Sequence, residues 1–82
     1  MASELSEITS PLIGTVFKIA VQQGEVVVAG QEILIIESMK MEHPLVCEVD
    51  GTVHSILVAE GDTVSTGQSL IIITPGLVDH SQ

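Results

Sequence analysis

Lys40 is a candidate site of covalent modification. It is one of only two Lys or Arg residues in a chain of 82, and it lies between Met39 and Met41. Methionine side chains are flexible and polarisable, which suits a surface that several partners contact in turn. An exposed lysine amine is mostly protonated at neutral pH and is therefore a weak nucleophile. We expect another protein to modify Lys40, because the lysine is not equipped to react unaided.

Acidic residues close to this lysine strengthen that expectation. Glu37 and Glu42 lie three and two positions from Lys40, and nearby carboxylates favour the charged form of an amine. Glu37, Ser38 and Glu42 are candidates for recognition by a modifying ligase. Lys18 is the rival acceptor, but it falls within a predicted strand that an enzyme cannot readily surround.

The composition indicates one small, strand-rich domain. Hydrophobic residues make up 45% of the chain with one aromatic residue, and most of them are Val, Ile and Leu, which favour strands. The net charge is −9, from 11 acidic and 2 basic residues. Nucleic acids and anionic membranes bind through clustered Lys and Arg, so we expect neither as a partner. No apolar run reaches the about 18 residues of a membrane span, and no signal peptide is visible. A cytoplasmic monomer is the expectation.

The remaining reactive side chains predict no catalytic or metal site. The single cysteine, Cys47, is expected to be a buried, reduced core residue. His43, His54 and His80 lack the spacing of metal ligands. We expect His54 on a strand surface and His43 to be an ordinary turn residue. The sequence contains no nucleophile–base pair and no phosphate-binding glycine loop.

The two halves of the chain repeat one plan at an offset of 37 residues. Gly24 and Gly61 each precede an acid, in turns expected to need a positive φ. Two copies are too few for a solenoid, so the halves are expected to bury their aliphatic faces against each other. We predict an all-β fold, a flattened quasi-twofold β-barrel or sandwich of two antiparallel sheets. The matching segments are Gly14-Thr15-Val16 with Gly51-Thr52-Val53, Gly30-Gln31 with Gly67-Gln68, and Ile35-Ile36 with Ile72-Ile73.

The repeat also predicts the position of Lys40. The first half ends in a strand over residues 32–37 and the second begins near Pro44, which places Lys40 in a hairpin turn between them. A single strand over residues 32–46 would exceed the usual strand length. The matching place in the second half is residues 74–76, so the turn and the chain ends are expected at opposite ends of the domain. The predicted boundaries are a flexible N-terminus at 1–7, a domain at 8–76 and a flexible tail at 77–82.

The run Glu37-Ser38-Met39-Lys40-Met41 resembles the Met-Lys-Met attachment motif of biotinyl domains, the carrier modules of biotin-dependent carboxylases. The resemblance extends over both halves and the paired glycine turns. It implies that Lys40 carries biotin in amide linkage, with Met39 and Met41 as its flanking recognition residues. Ser38 departs from the alanine more usual there. Lipoyl domains share the fold but usually read Asp-Lys-Ala at the turn.

The resemblance implies a carrier and three partner enzymes. A biotin protein ligase attaches the biotin, a biotin carboxylase loads it with a carboxyl group, and a carboxyltransferase, expected to be of acyl-CoA type, passes that group on. The two alternatives are a lipoyl carrier domain and an unmodified binding module of the same fold. No insertion of the kind that forms a protruding thumb separates the halves. Met1 and the short tails favour a free-standing carrier over the end of a longer carboxylase. The acceptor substrate stays open.

Overall fold

Eight strands form two four-stranded antiparallel sheets in the computed structural model, which describes residues 5–76. One sheet has the order β1-β8-β6-β3 and the other β5-β4-β2-β7. The described residues contain no helix, and thus none that could cross a membrane. The predicted all-β fold is confirmed in its sandwich form, because the two sheets do not close into a barrel. The strands are β1 (Ser6–Thr9), β2 (Gly14–Ile19), β3 (Val26–Val27), β4 (Glu32–Ser38), β5 (Met41–Val46), β6 (Gly51–Ile56), β7 (Thr63–Val64) and β8 (Ser69–Pro75).

The sequence repeat is a structural pseudo-twofold. Adding 37 to the bounds of β2, β3 and β4 gives the bounds of β6, β7 and β8, and the same offset relates β1 to β5. Each sheet therefore contains the same four strands in the same order, with two strands contributed from each half. The halves are interlocked, so neither can bury its apolar face alone.

The glycine turns confirm the conformations expected from the sequence. Gly24 has φ 89° and Gly61 has φ 96°, a region that glycine enters freely and L-residues rarely occupy. Their amides hold the halves together, since Gly24 N–H donates to the Val53 carbonyl and Gly61 N–H to the Val16 carbonyl, both at 2.8 Å. Each turn thus ties one half to the other.

The core lies between the sheets and is almost wholly aliphatic. It consists of thirteen buried residues, Ile8, Val16, Val21, Val27, Ile33, Leu34, Ile36, Cys47, Val53, Val64, Leu70, Ile71 and Ile73. Cys47 is only 1% exposed and is a free thiol, as predicted. Close packing of β-branched side chains between two short-stranded sheets supplies the main stabilising term of so small a domain.

The N-terminal boundary differs from the prediction. Ser6 and Glu7 were assigned to the N-terminal tail, but they belong to β1, where they pair with Ile73 and Ile72 of β8. Their polar character concealed an edge strand, in which half of the side chains face solvent. The tail residues 1–4 and the predicted tail 77–82 lie outside the described residues.

The Lys40 hairpin and the ends of the described chain lie at opposite ends of the fold. Gly51 pairs with Pro75 at the end of β8, and the neighbouring Asp50 carboxylate accepts the Ala29 N–H at 2.9 Å. This contact places the end of β8 beside the start of β4. The hairpin turn follows the far end of β4, about 20 Å away at about 3.3 Å per residue.

Candidate functional site

The turn that carries Lys40 is a strained two-residue hairpin loop. Ser38 and Met41 form the last cross-strand pair of β4 and β5. Between them, Met39 has φ 53° and Lys40 has φ 65°, so both central residues are left-handed, as a type I′ turn requires. Such turns usually contain Asn-Gly, because a left-handed L-residue costs about 1–2 kcal/mol.

Burial of the strand before the turn fixes this geometry. Ile33, Leu34 and Ile36 of β4 are 0% exposed, so a shift of register would move them out of the core. The register pairs Ile36 with His43, which leaves only Met39 and Lys40 to close the loop. The core therefore imposes the left-handed backbone on two residues that do not favour it.

The side chains of the turn are presented to solvent. Met39 is 91% exposed and Met41 is 62% exposed, and Lys40 between them is also exposed. Neither methionine fills a gap in the core, which was the ordinary alternative for such residues. The turn offers a lysine amine with a flexible apolar side chain on each side.

Two carboxylates face each other directly below the turn. Glu37 and Glu42 form the cross-strand pair next to Ser38 and Met41, and both are exposed. Like charges at directly opposed positions destabilise a sheet. The structure thus brings together two of the predicted recognition residues in an arrangement that does not serve stability. Ser38, the third, is half-buried at the end of β4.

Gly14 allows the start of β2 to press against this hairpin. A Cβ atom at Gly14 would lie 2.6 Å from the Glu37 carbonyl oxygen and 3.3 Å from the Ser38 Cβ. Residue types alone did not predict this close approach. The recurrence of Gly-Thr-Val at 14 and 51 was a usable signal, since neither glycine opens a turn. Ile13, the residue before Gly14, is 66% exposed and was also missed.

The other candidate residues lie away from the turn. Lys18 is in β2 opposite Ile35, as predicted for the rival acceptor. His54 is exposed in β6, which confirms its predicted position. His43 was predicted to be a turn residue, and this was wrong, because β5 begins at Met41 and includes it. His80 lies outside the described residues. Residues 5–76 contain no cluster of His, Cys, Asp and Glu that would hold a metal ion.

Comparison with known proteins identifies the family. A family model described as "Biotin-requiring enzyme" matches residues 6–73, which is most of the chain and includes the Lys40 turn. The chain belongs to this biotinyl/lipoyl attachment family, as the resemblance of the motif implied. Biotin is therefore the cofactor with which the family is associated.

The relatives are parts of carboxylases and related carriers. The 1.3S subunit of methylmalonyl-CoA carboxyltransferase from Propionibacterium freudenreichii subsp. shermanii is 58% identical over 36 residues, 44% of this chain and 29% of that protein. The structure of a single-chain, multi-domain long-chain acyl-CoA carboxylase matches with TM-score 0.83 and 28% identity over 95% of this chain, but 8% of that chain. The chain thus corresponds to a small part of these longer proteins.

A lipoyl domain shares the same fold. The solution structure of the lipoyl domain of the 2-oxoglutarate dehydrogenase complex from Azotobacter vinelandii matches with TM-score 0.76 and 32% identity. The match covers 87% of this chain and 98% of that domain. The fold alone therefore does not distinguish a biotinyl domain from a lipoyl domain. Any distinction has to come from the residues of the turn.

Proposed function

We propose that this chain is a biotin carboxyl carrier and that Lys40 is the residue to which biotin is joined. The observation that supports the proposal best is the turn itself, an exposed Met-Lys-Met on a strained two-residue loop at one end of a rigid sandwich. Family membership supplies the cofactor and the turn supplies an attachment point. When bound, biotin accepts a carboxyl group at one enzyme and releases it at another.

The attachment reaction forms an amide at the Lys40 side chain. The neutral amine attacks an activated carboxyl carbon of biotin, the N–C bond forms, the activating group leaves with its electron pair, and the amine loses a proton. No cationic residue lies beside Lys40 in the turn, and Glu37 and Glu42 are the nearest charged positions. The activation and the base must therefore come from a biotin protein ligase, since this chain provides neither.

Each residue of the turn has a separate part in recognition. Met39 and Met41 give a ligase or carboxylase an adaptable apolar contact on both sides of the acceptor. Glu37 and Glu42 give it a paired negative charge at a fixed position on the strands. Left-handed backbone at Met39 and Lys40 projects the lysine away from the sheet, where an active site can enclose it.

The body of the domain contributes reach and local concentration. A carrier that visits two active sites needs transient contacts, because tight binding at either would slow transfer. A net charge of −9 steers the domain toward positively charged entrances and limits association between copies. We therefore propose a monomeric carrier whose partners are a ligase, a biotin carboxylase and a carboxyltransferase of acyl-CoA type.

Residues of the turn favour biotin over lipoate. The lipoyl domain of known structure shows that both carriers use this sandwich, so Met39 and Met41 carry the distinction, where lipoyl domains usually have Asp and Ala. Ser38 replaces the more usual alanine, but it is half-buried in β4 and leaves the exposed surface unchanged.

Modification of variants in a ligase-containing host tests the proposal. The wild type, Lys40→Ala and Lys18→Ala are purified, weighed intact by mass spectrometry and blotted with streptavidin. We expect one biotinyl group on the wild type and on Lys18→Ala, and none on Lys40→Ala. A lipoyl mass, or unmodified wild type beside a biotinylated control carrier, would refute it. Incubation of the biotinylated chain with a biotin carboxylase, ATP and labelled bicarbonate then tests loading of the carboxyl group.

A further inference from the structure

A cleft of about 440 Å³ opens between the edge strands of the two sheets, on the side where the sandwich is not closed. Its walls come from β1 and β5, which the pseudo-twofold relates. Each lining residue on one wall has its partner on the other at the offset of 37. The four pairs are Glu7 with Pro44, Ile8 with Leu45, Thr9 with Val46, and Pro11 with Glu48. The cleft therefore lies on the pseudo-twofold axis, away from the Lys40 turn.

The backbone of β1 leaves hydrogen-bonding groups free at this cleft. Antiparallel neighbours bond through alternate residues, and Ser10 N–H donates to the Gln68 carbonyl at 2.9 Å, on the β8 side of the strand. The pairing of β1 with β8 shifts register between Ile8 and Thr9, but the extra residue, Leu70, lies on β8, so the alternation along β1 itself continues. At Thr9 and Glu7, one and three residues before Ser10, the N–H and C=O groups then point away from β8. Since β1 is an edge strand of the described sheet, these groups face the cleft.

The opposite wall is less suited to the same kind of pairing. Pro44 is the counterpart of Glu7 on β5, and it has no N–H to donate. Proline at an edge strand is a common protection against the addition of another strand. The symmetry of the cleft is thus broken at its backbone, because β1 offers N–H donors at both Glu7 and Thr9 whereas β5 keeps one at Val46 alone.

The charge of the cleft selects the kind of ligand. Glu7 and Glu48 line it and are exposed, and none of the described lining residues is basic. Its floor is apolar, because Ile8 is 7% exposed and Leu45 packs against the core. A second copy of this chain would bring another net charge of −9 to the same place. A basic ligand with apolar side chains is complementary, and a copy of the chain is not.

We propose that β1 accepts an extended basic segment of a partner protein as an added strand. The backbone of the segment pairs with Glu7, its aliphatic side chains cover Ile8 and Leu45, and its Lys or Arg side chains approach Glu7 and Glu48. Such strand addition takes its affinity from main-chain hydrogen bonds and its specificity from alternate side chains. Met41, which follows Lys40, is three residues from Pro44, about 10 Å along β5, so a partner held in the cleft leaves the turn free.

Titration of the full chain with a model peptide tests the proposal. The probe is an acetylated, amidated peptide of alternating Lys and Val, followed by ¹⁵N–¹H NMR, and its control is a Lys/Gly peptide of the same charge. We expect shift changes concentrated at residues 7–9 and 45–48, and weaker binding of the Lys/Gly peptide. Shifts spread evenly over the acidic surface, or equal binding of both peptides, would overturn the strand-addition site.

Variants separate the backbone and charge contributions. Glu7→Pro removes the donor and copies the residue that the fold already accepts at 44, and we expect about fivefold weaker binding of the Lys/Val peptide than with Glu7→Gln. A Glu7→Gln, Glu48→Gln double variant leaves the backbone untouched and is expected to bind more weakly than the wild type while still preferring the Lys/Val peptide. Unchanged affinity in either comparison contradicts the proposal. Biotinylation of Lys40 is scored separately, because the proposed cleft does not depend on what that lysine carries.

Discussion

Cys47 occupies in the second half of the fold the place that Ser10 occupies in the first, and the two side chains make the same hydrogen bond. Ser10 Oγ donates to the Leu12 carbonyl at 2.6 Å, and Cys47 Sγ donates to the Val49 carbonyl at 3.0 Å. Each is 1% exposed and follows an edge strand. The turn after β1 and after β5 thus needs a small buried donor, and the fold itself shows that a hydroxyl or a thiol suffices.

Cys47→Ser should therefore retain nearly the full stability of the domain. The hydroxyl can make the bond to Val49 that Ser10 makes to Leu12, so we expect a loss of under about 1 kcal/mol. Cys47→Leu overfills the same site and should cost about 1–3 kcal/mol. Urea denaturation of both variants measures the difference, and a larger loss for serine than for leucine would contradict the equivalence of the two positions.

Replacement of Lys40 by glycine should stabilise the domain even though it removes the proposed acceptor. Glycine accepts the left-handed backbone at φ 65° without the steric cost of a side chain, which is about 1 kcal/mol. For a domain of this size the gain corresponds to about 4–8 °C in Tm. Lys18→Gly, in strand β2, is the matched control and should lower Tm. Equal shifts of the same sign in calorimetry would show that the turn is not strained.

Substitution of Gly51 or Gly24 by alanine should lower the free energy of unfolding, for different reasons and by different amounts. A Cβ at Gly51 would overlap the Thr74 carbonyl oxygen, and strand backbone cannot easily withdraw, so Gly51→Ala should cost about 3 kcal/mol. A Cβ at Gly24 meets nothing within 4 Å, and only its φ of 89° is unfavourable, so Gly24→Ala should cost about 1 kcal/mol. Denaturation midpoints compare them, and the reverse order would mean that strands β6 and β8 do not approach as closely at Gly51 as described.

The opposed carboxylates below the turn should lower the stability of the domain and favour recognition by the ligase. Removing one charge in Glu42→Gln relieves repulsion from Glu37 across β4 and β5, for a gain of about 0.2–0.5 kcal/mol that disappears in about 1 M salt. The same change should lower kcat/KM of the ligase. Glu32→Gln, at the other end of β4 and outside this pair, serves as the control and should change neither quantity. A loss of stability in Glu42→Gln at low salt would argue that the pair has another, stabilising partner.

Most of the fold was predictable because the sequence contains an internal repeat. The recurrence of glycine turns and aliphatic runs at one offset predicted two interlocked antiparallel sheets and placed Lys40 between the halves. Edge strands were harder, since β1 buries only one side and its Ser6 and Glu7 look like a tail. The position of His43 was missed for a related reason, because the hairpin loop is two residues long and β5 starts sooner than the sequence suggests.

The candidate residues of the turn could be selected from the sequence, but the conformation of the turn could not. Met39, Lys40 and Met41 were identified from residue type and spacing, whereas their left-handed backbone contradicts local preference and follows from the register of buried β4 residues. The opposition of Glu37 and Glu42 also depends on that register. Contacts across strands arise from tertiary packing, which local sequence does not encode.

Mapping of the biotinylated residue is the most direct test of the central claim. The purified chain, its Lys40→Arg variant and its Lys18→Arg variant are treated with a biotin protein ligase, biotin and ATP, digested, and sequenced by tandem mass spectrometry. We predict one biotinyl group per chain, found on Lys40 in the wild type and in Lys18→Arg, and absent from Lys40→Arg. Biotin on Lys18, or a biotinylated Lys40→Arg variant, would contradict the assignment of Lys40 as the carrier residue.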